Sequence, residues 1–375
     1  MNSSFWGDKR VLLTGHTGFK GSWLSALLLS LNCKVYGYAL KAVGEPNLFD
    51  AIGFTGQGIP VDINLEQPCG EFFHCEGDIN DKESLSRFVG MACPDICIHL
   101  AAQPLVRKSY QSPLETWQTN VMGTLNLLES IRICKSNCVV VVVTTDKVYK
   151  NKEWDFGYRE NDELGGLDPY SASKSACEIA VHSWRESFAF RDGNSIAVAT
   201  ARAGNVIGGG DWSIDRLVPD AIKALHRLNP VQIRNPHSTR PWQHVLEPLC
   251  GYLLLAEKMF FDKTKFSAGY NFGPDISSNK SVLALVQEML KYWGGSYQNL
   301  AENDPPHEAG RLHLNIDQAF HELGWKPRWN FEKTVEKTVS WYKRFYEGEN
   351  AIRLMLDDIK NYQNDIKASL NSDQI

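Results

Sequence analysis

This 375-residue sequence predicts an α/β fold, an open parallel sheet with helices on both faces. Three observations carry that prediction. The run Arg10-Val11-Leu12-Leu13-Thr14 reads as a short buried strand that passes through Gly15, Gly18 and Gly21 into an apolar helix. Cys138 to Thr144, with five consecutive valines, fills both strand faces with β-branched side chains, as a strand inside a parallel sheet requires. Around these two, strand-like runs alternate with helical stretches, the pattern of a doubly wound sheet.

The glycine stretch comes first. A strand must turn sharply into a helix whose free N–H groups face a pyrophosphate, and side chains at the close-approach positions would hold the phosphates off. The spacing G-x-x-G-x-x-G meets that need, so a Rossmann-type, dinucleotide-binding unit is expected. Its helix is predicted over 21–31 and its second strand over 34–40. That strand ends in Tyr38-Ala39-Leu40-Lys41, where an acid on the adenine ribose is the usual NAD signature. Lys41 leaves NADP open, but one lysine in a loop makes no phosphate clamp, and NAD is the expected cofactor. Ala42 to Cys69 is rich in Gly and Pro without a period and reads as an irregular excursion. Phe72 to Cys75 is a strand leading to Asp78 and Ile79. Asp78 has two readings, a ligand of the adenine amino group or a cap for the helix that starts near Lys82.

Asp95 to Leu100 is the next strand, and small Ala101 and Ala102 after it permit close passage of a cofactor. Arg107 and Lys108 read equally as substrate contacts or solvent charges. A helix with an apolar stripe follows from Thr119, with Asn120 inside it either bracing the backbone or lying on the surface. Asp168-Pro169 opens a helix to about Arg191, and Ser195 to Ala203 is the next strand. Beyond it come the glycine-rich GGGDW loop, a helix over 217–228 and short strands around 231–234. The expected division is 1–204 as the dinucleotide-binding domain, with a returning segment around 240–259, and 205–375 as a smaller, mainly substrate-binding α/β domain. Leu323 to Pro327 reads as a helix stop, and Asp357 to Ile375, polar and without apolar spacing, as a frayed tail.

Composition excludes several classes. An apolar content of 43% with 22% charged residues describes a globular chain, neither disordered nor fibrous. A formal charge of −5 without a dense basic run argues against a nucleic-acid partner. LSALLLSL is too short to span a bilayer, so no membrane partner is expected. Nine cysteines, mostly in apolar context, suggest reduced thiols in a cytoplasmic protein. Cys93, Cys97 and His99 lack a second paired cluster, and no metal site is expected.

Strand-TGxxGFxG-helix, followed far downstream by Tyr170-Ser171-Ala172-Ser173-Lys174, resembles the extended short-chain dehydrogenase/reductase family of NAD-dependent epimerases and dehydratases. The strings GHTGFKGSWL, TTDKVYKN, ARAGNVIGGGDW and RPWQHVLEP resemble a dehydratase branch of it, from Phe5 to about Trp341. The resemblance implies NAD as cofactor, CDP-glucose as substrate, loss of water across sugar carbons 5 and 6, and a homodimer or homotetramer. It implies a cofactor site made of Gly15, His16, Thr17, Gly18, Phe19, Lys20, Gly21, Asp78, Ile79, Leu100, Ala101 and Ala102, with Tyr170 and Lys174. It implies substrate contacts at Gln103, Asn205, Arg216, Arg234, Arg240, His307 and Arg311, and Arg240 is the preferred pyrophosphate ligand because its fork matches phosphate oxygens.

Tyr170 and Lys174 are four apart on one helical face. Lys174 is expected to lower the pKa of Tyr170 and to hold the nicotinamide ribose, leaving Tyr170 to take the hydroxyl proton at carbon 4. Thr145 can hydrogen-bond the same oxygen. Thr145-Asp146-Lys147 lies at the carboxyl end of the valine strand, where open α/β sheets collect ligands, and packing does not explain a polar triplet there. By the resemblance, Asp146 protonates the departing hydroxyl at carbon 6. Lys147 stands where related dehydratases carry glutamate. Neutral, it is a base for the carbon-5 proton; charged, it stabilises an enolate. Trp212 and Trp242 read equally as base-stacking or core residues. Family members pair the helix after Gln118 and the Tyr170 helix across a dimer; Ala176, Ile179, Ala180 and Trp184 fit that face or a sheet-facing core equally.

Overall fold

The computed structural model describes residues 3–54, 57–60, 70–134, 137–191, 195–300 and 311–372. Its centre is an eight-stranded sheet of β1 (Arg10–Thr14), β2 (Lys34–Ala39), β3 (Gln57–Pro60), β4 (Glu71–Glu76), β5 (Ile96–His99), β6 (Val139–Val143), β7 (Ala197–Arg202) and β8 (Gly269–Asn271). The strand order is β8-β7-β6-β5-β1-β2-β4-β3. All neighbours run parallel except β3, which pairs antiparallel with β4 at one edge.

Strand alternation splits the apolar side chains between two faces. Val11, Leu13, Val139, Val141 and Val143 enter one cluster, with the glycine helix (Phe19–Ser30), the helix Leu246–Phe261 and the C-terminal helices. Leu12, Val140 and Val142 enter the other, with the helices Lys82–Ala92, Gly123–Ile133 and Pro169–Phe188. Both faces of the valine strand are buried, which is why five β-branched residues in a row are tolerated there.

The excursion over 42–69 holds a helical turn, Leu48–Ala51, capped by Asn47, and strand β3; 61–69 lies outside the described residues. The helix expected from Thr119 begins as a π-helical turn, Gln118–Met122, before its α-helical part. Residues 269–271, beyond the expected returning segment, supply the eighth strand. The frayed tail is contradicted outright. Ala351–Ser372 is a helix, and Leu354, Met355, Ile359 and Tyr362 are buried along it. That spacing is a helical period, which a reading begun at Asp357 cuts in half. Among the described residues no helix is long and apolar enough to cross a membrane, and all eight cysteines are free.

Candidate active site

Gly15 takes φ +74°, and a Cβ there would stand 2.7 Å from the backbone nitrogen of Ala101. A Cβ on Gly21 would stand 2.2 Å from the Gly15 carbonyl oxygen. Strand end, turn and helix start thus meet backbone to backbone. Gly18 is the helix N-cap and offers no side-chain cap, so the first helical N–H groups are left for a ligand. The Ala101 N–H donates to Thr14 Oγ1 at 3.3 Å, closing β5 on β1 where the strand order reverses. Open α/β sheets take their ligands at such a point.

Several expected cofactor residues turn out to brace this cradle from behind. His16 is buried. Its Nε2 lies 2.7 Å from His74 Nδ1, and its ring fills the space that a side chain on Gly37 would need. Burial holds its pKa down at about 3, with His74 adding to the effect. Only its backbone remains for a cofactor. Phe19 is half-buried against the main core, and Ile79 is buried against Gly123. The Thr17 hydroxyl donates to the Leu40 carbonyl at 2.8 Å, tying the turn to the end of β2. Asp78 is exposed and accepts from the Asn80 N–H at 2.9 Å, while Asp81 caps the next helix. The capping reading of Asp78 is therefore wrong, and its carboxylate stays at the sheet edge. Leu100 and Ala102 line the end of β5 half-buried.

Gln103 lies on the loop after β5. It is buried, and its side chain serves its own loop, donating to the Leu105 carbonyl at 3.1 Å and Thr116 Oγ1 at 3.0 Å. Asn120 proves to be the brace. It accepts from the Gln103 N–H at 2.8 Å and donates to Ser173 Oγ at 2.9 Å, joining the β5 loop to the Tyr170 helix.

Asp168 caps that helix by accepting from the Ser171 N–H at 3.0 Å, with Pro169 in its first turn. Tyr170 and Lys174 are both buried and lie beside the end of β6. There Asp146, fully buried, accepts from the Thr145 hydroxyl at 3.0 Å and from Asn205 Nδ2 at 3.3 Å. Lys147 Nζ stands 3.7 Å from the same carboxylate. Gly204 makes this possible, because a Cβ there would fall within 2.3 Å of the carboxyl carbon and both its oxygens.

The electrostatics depart from expectation at Tyr170. Burial pushes its phenol up to about 12, against the hydrogen bond to Thr145 that pulls it down. Arg216 also lowers it, while the Lys174 ammonium donates to the Val143 carbonyl at 3.2 Å. Burial likewise lowers Lys174 and brings Lys20 down to about 8, with Arg216 adding to the Lys20 shift and Asp146 opposing it. Lys20 therefore faces the cluster of Asp146, Lys147 and Lys174.

The remaining substrate candidates are scattered. Arg216 donates to Asp211 at 2.9 Å and is the one that reaches the cluster. Arg240 sits half-buried in the middle of a short strand, Thr239–Pro241, its guanidinium donating to the Thr239 carbonyl at 2.8 Å. Arg234 is exposed and faces Asp220. Arg311 pairs with Asp155 at the mouth of a cleft that also holds Trp154, Thr239 and Asn279. His307 lies outside the described residues. Arg107 and Lys108 are in exposed ion pairs with Asp215 and Glu115. Trp212 and Trp242 are core residues, the first against Trp341 and Phe345 and the second donating to the Lys280 carbonyl at 3.0 Å. Trp184 also turns inward, leaving Ile179 exposed on that helix. His99 is a satisfied core histidine between Thr14 and Thr124, and among the described residues no group of three His, Cys, Asp or Glu side chains could hold a metal.

A glycine cradle at the reversal point, with a Tyr-Lys pair and a buried acid at the neighbouring strand end, defines a Rossmann-type enzyme of the NAD-dependent epimerase/dehydratase class. Residues 12–338 match the GDP-mannose 4,6 dehydratase family, and the chain belongs to that family. It is 43% identical to the CDP-glucose 4,6-dehydratase of Salmonella typhimurium over 366 residues, covering 96% of this chain and 98% of the relative. It is 30% identical to the CDP-paratose 2-epimerase of Salmonella typhi over 88% of this chain and 98% of that protein. The dTDP-glucose 4,6-dehydratase DesIV of Streptomyces venezuelae, solved with NAD, shares the fold at a TM-score of 0.72 and 23% identity, over 91% of this chain and 99% of that one.

Proposed function

We propose that the protein removes water from CDP-D-glucose, using NAD, to give CDP-4-dehydro-6-deoxy-D-glucose. The observation that carries this is the Thr145-Asp146-Lys147 cluster beside Tyr170: a hydride-transfer pair alone would serve an epimerase equally, whereas a buried acid with an adjacent amine suits an elimination. Two relatives named for CDP-linked sugars, one covering nearly the whole chain, support the cytidine nucleotide.

The uncapped helix after Gly18 and the side-chain-free contacts of Gly15 and Gly21 fit a dinucleotide pyrophosphate. NAD held there supplies an acceptor for the carbon-4 hydride and a donor to carbon 6. Tyr170 takes the carbon-4 hydroxyl proton, with Thr145 bonding the same oxygen and Lys174 holding the nicotinamide ribose. Asp146 protonates the leaving carbon-6 hydroxyl. Lys147, half-exposed beside it, takes the carbon-5 proton as the hydroxyl leaves and returns it to carbon 5 when hydride reaches carbon 6. Arg216 and Arg240 compensate the substrate diphosphate, with Arg311, once freed from Asp155, as a third cation. The residues 1–204 with 240–259 form the cofactor unit and 205–375 mainly the sugar-nucleotide unit. Exposed Leu114, Trp117, Met122 and Ile179 give the helices around Gln118 and Tyr170 an apolar surface on which a second copy docks, and the site of action is the cytoplasm.

The test is a reaction of purified protein, NAD and CDP-glucose deuterated at carbon 4, followed by mass spectrometry. The expected product has lost water and carries the deuterium on carbon 6. An epimerised sugar, or unchanged substrate with active protein on UDP-, GDP- or dTDP-glucose instead, would overturn the reading.

A further inference from the structure

One turn beyond Lys174, Glu178 is buried with every oxygen engaged. Its Oε1 accepts from the Thr144 hydroxyl at 2.5 Å, and its Oε2 accepts from the Thr200 hydroxyl at 2.7 Å and Arg202 Nη2 at 2.8 Å. Arg202 in turn donates to the Tyr149 hydroxyl at 2.7 Å and the Glu160 carbonyl at 2.8 Å. Two of the partners abut the chemistry. Thr144 directly precedes Thr145, and Arg202 lies two residues before Gly204, whose bare Cα leaves room for the Asp146 carboxylate. A buried ion pair is weak evidence for stability, because desolvating both charges offsets much of their attraction. Three charge-assisted contacts that tie the Tyr170 helix to β6 and β7 serve geometry better than stability.

We propose that Glu178 is a positioning residue for the hydride-transfer site: its carboxylate fixes the Tyr170–Lys174 helix, the Thr145–Lys147 turn and the Gly204–Asn205 turn relative to one another, and supplies counter-charge to Lys174. The proposal rests on reading Tyr170 and Lys174 as that site. The charged and titratable groups facing Lys174 are Lys20 from the glycine helix, His99 from β5, and Cys177 and Glu178 from its own helix. Among these only Glu178 carries a negative charge at neutral pH, since Cys177 is a buried thiol pushed upward by burial. Burial lowers the Lys174 pKa, and Glu178 opposes that shift.

The test compares wild-type protein with Glu178→Gln and Thr144→Val, using the isotope reaction above and a full pH profile of kcat. Glu178→Gln removes the carboxylate and leaves the Arg202 cation uncompensated, and both changes favour loss of the Lys174 proton. The alkaline limb of kcat should move to lower pH by about half a unit or more. kcat at its optimum should fall on the order of 10- to 100-fold, with KM within about twofold because no substrate contact is touched. Thr144→Val unties the carboxylate from β6 and keeps its charge, so kcat should fall by roughly threefold or more while the limb stays in place. A Glu178→Gln profile superimposable on wild type, with any loss following thermal stability alone, overturns the proposal. If Glu178→Gln does not fold, Thr144→Val with wild-type kcat overturns it equally. Wild-type protein without turnover would instead count against the proposed function, which keeps the two failures distinct.

Discussion

A single missing side chain decides the geometry of the candidate acid. Asp146 can lie against Gly204 only because no Cβ stands there; one would come within 1.9 Å of Oδ2. Gly204→Ala must therefore displace either the carboxylate or the chain before Asn205, which already holds a left-handed φ of +48°. Overpacking a buried site of this kind costs about 1–3 kcal/mol, so the variant should fold. kcat should nevertheless fall on the order of 100-fold, since a displacement near 1 Å is enough for that. Steady-state kinetics beside a thermal melt checks this, and kcat within twofold of wild type would refute the close-packing argument. At this scale the sequence was legible in residue type more than in role. A tyrosine, a lysine and an acid could be picked out by spacing, but His16 and Gln103 could not be seen to face inward. The signal for His16 lay in Gly37 and His74, distant in sequence and adjacent only once β1, β2 and β4 pair. Glu178 left a fainter mark, an acid four residues after Lys174 on an inward helical face.

Elements position these side chains through two features of unequal visibility. The glycine strand and the valine strand are short-range patterns whose period needs no tertiary context, and both stand where the sequence places them. The π-helical turn Gln118–Met122 has no such pattern, because it exists to aim Asn120 at two other elements. Asn120 is buried, accepts from the Gln103 N–H, and donates to Ser173 Oγ and the Gln103 carbonyl. Asn120→Ala leaves the Gln103 N–H buried without a partner, at a cost of about 1–3 kcal/mol. A surface asparagine would cost less than about 0.5 kcal/mol. Urea unfolding separates the two cases, and a midpoint unchanged from wild type would remove Asn120 from its bracing role.

The whole molecule is closed by the segment that looked least structured. Ala351–Ser372 packs on the glycine helix and on the helix Phe331–Tyr346, so the C-terminal end of the chain buttresses the back of the cofactor cradle. Its polar composition hid this, since a helix with one buried face needs only a narrow apolar stripe. The closure centres on Glu247, buried in the helix Leu246–Phe261. It accepts from the Tyr362 hydroxyl at 2.5 Å and from the Trp329 N–H at 2.7 Å. Burial pushes its pKa up to about 7, against the donors that pull it down. The folded protein therefore keeps this proton up to about pH 7, whereas the unfolded chain releases it near 4.5. Between those values the folded state binds more protons, so the contribution to stability is complete below about pH 4.5 and is lost as pH rises through 7. His16, His99 and His244, each lowered by burial to about 3, act in the opposite sense, their contribution being lost as pH falls below about 6.5. The wild-type stability curve mixes the two, but the difference between wild type and Glu247→Gln isolates the carboxyl. The amide keeps an acceptor for the Arg328 and Trp329 N–H groups and never ionises. The melting temperature of Glu247→Gln relative to wild type should therefore rise from pH 5 to about pH 7, by a few degrees in total, and level off above it. A difference that stays flat across that range would mean that Glu247 is ionised throughout and that its charge is accommodated by the surrounding donors.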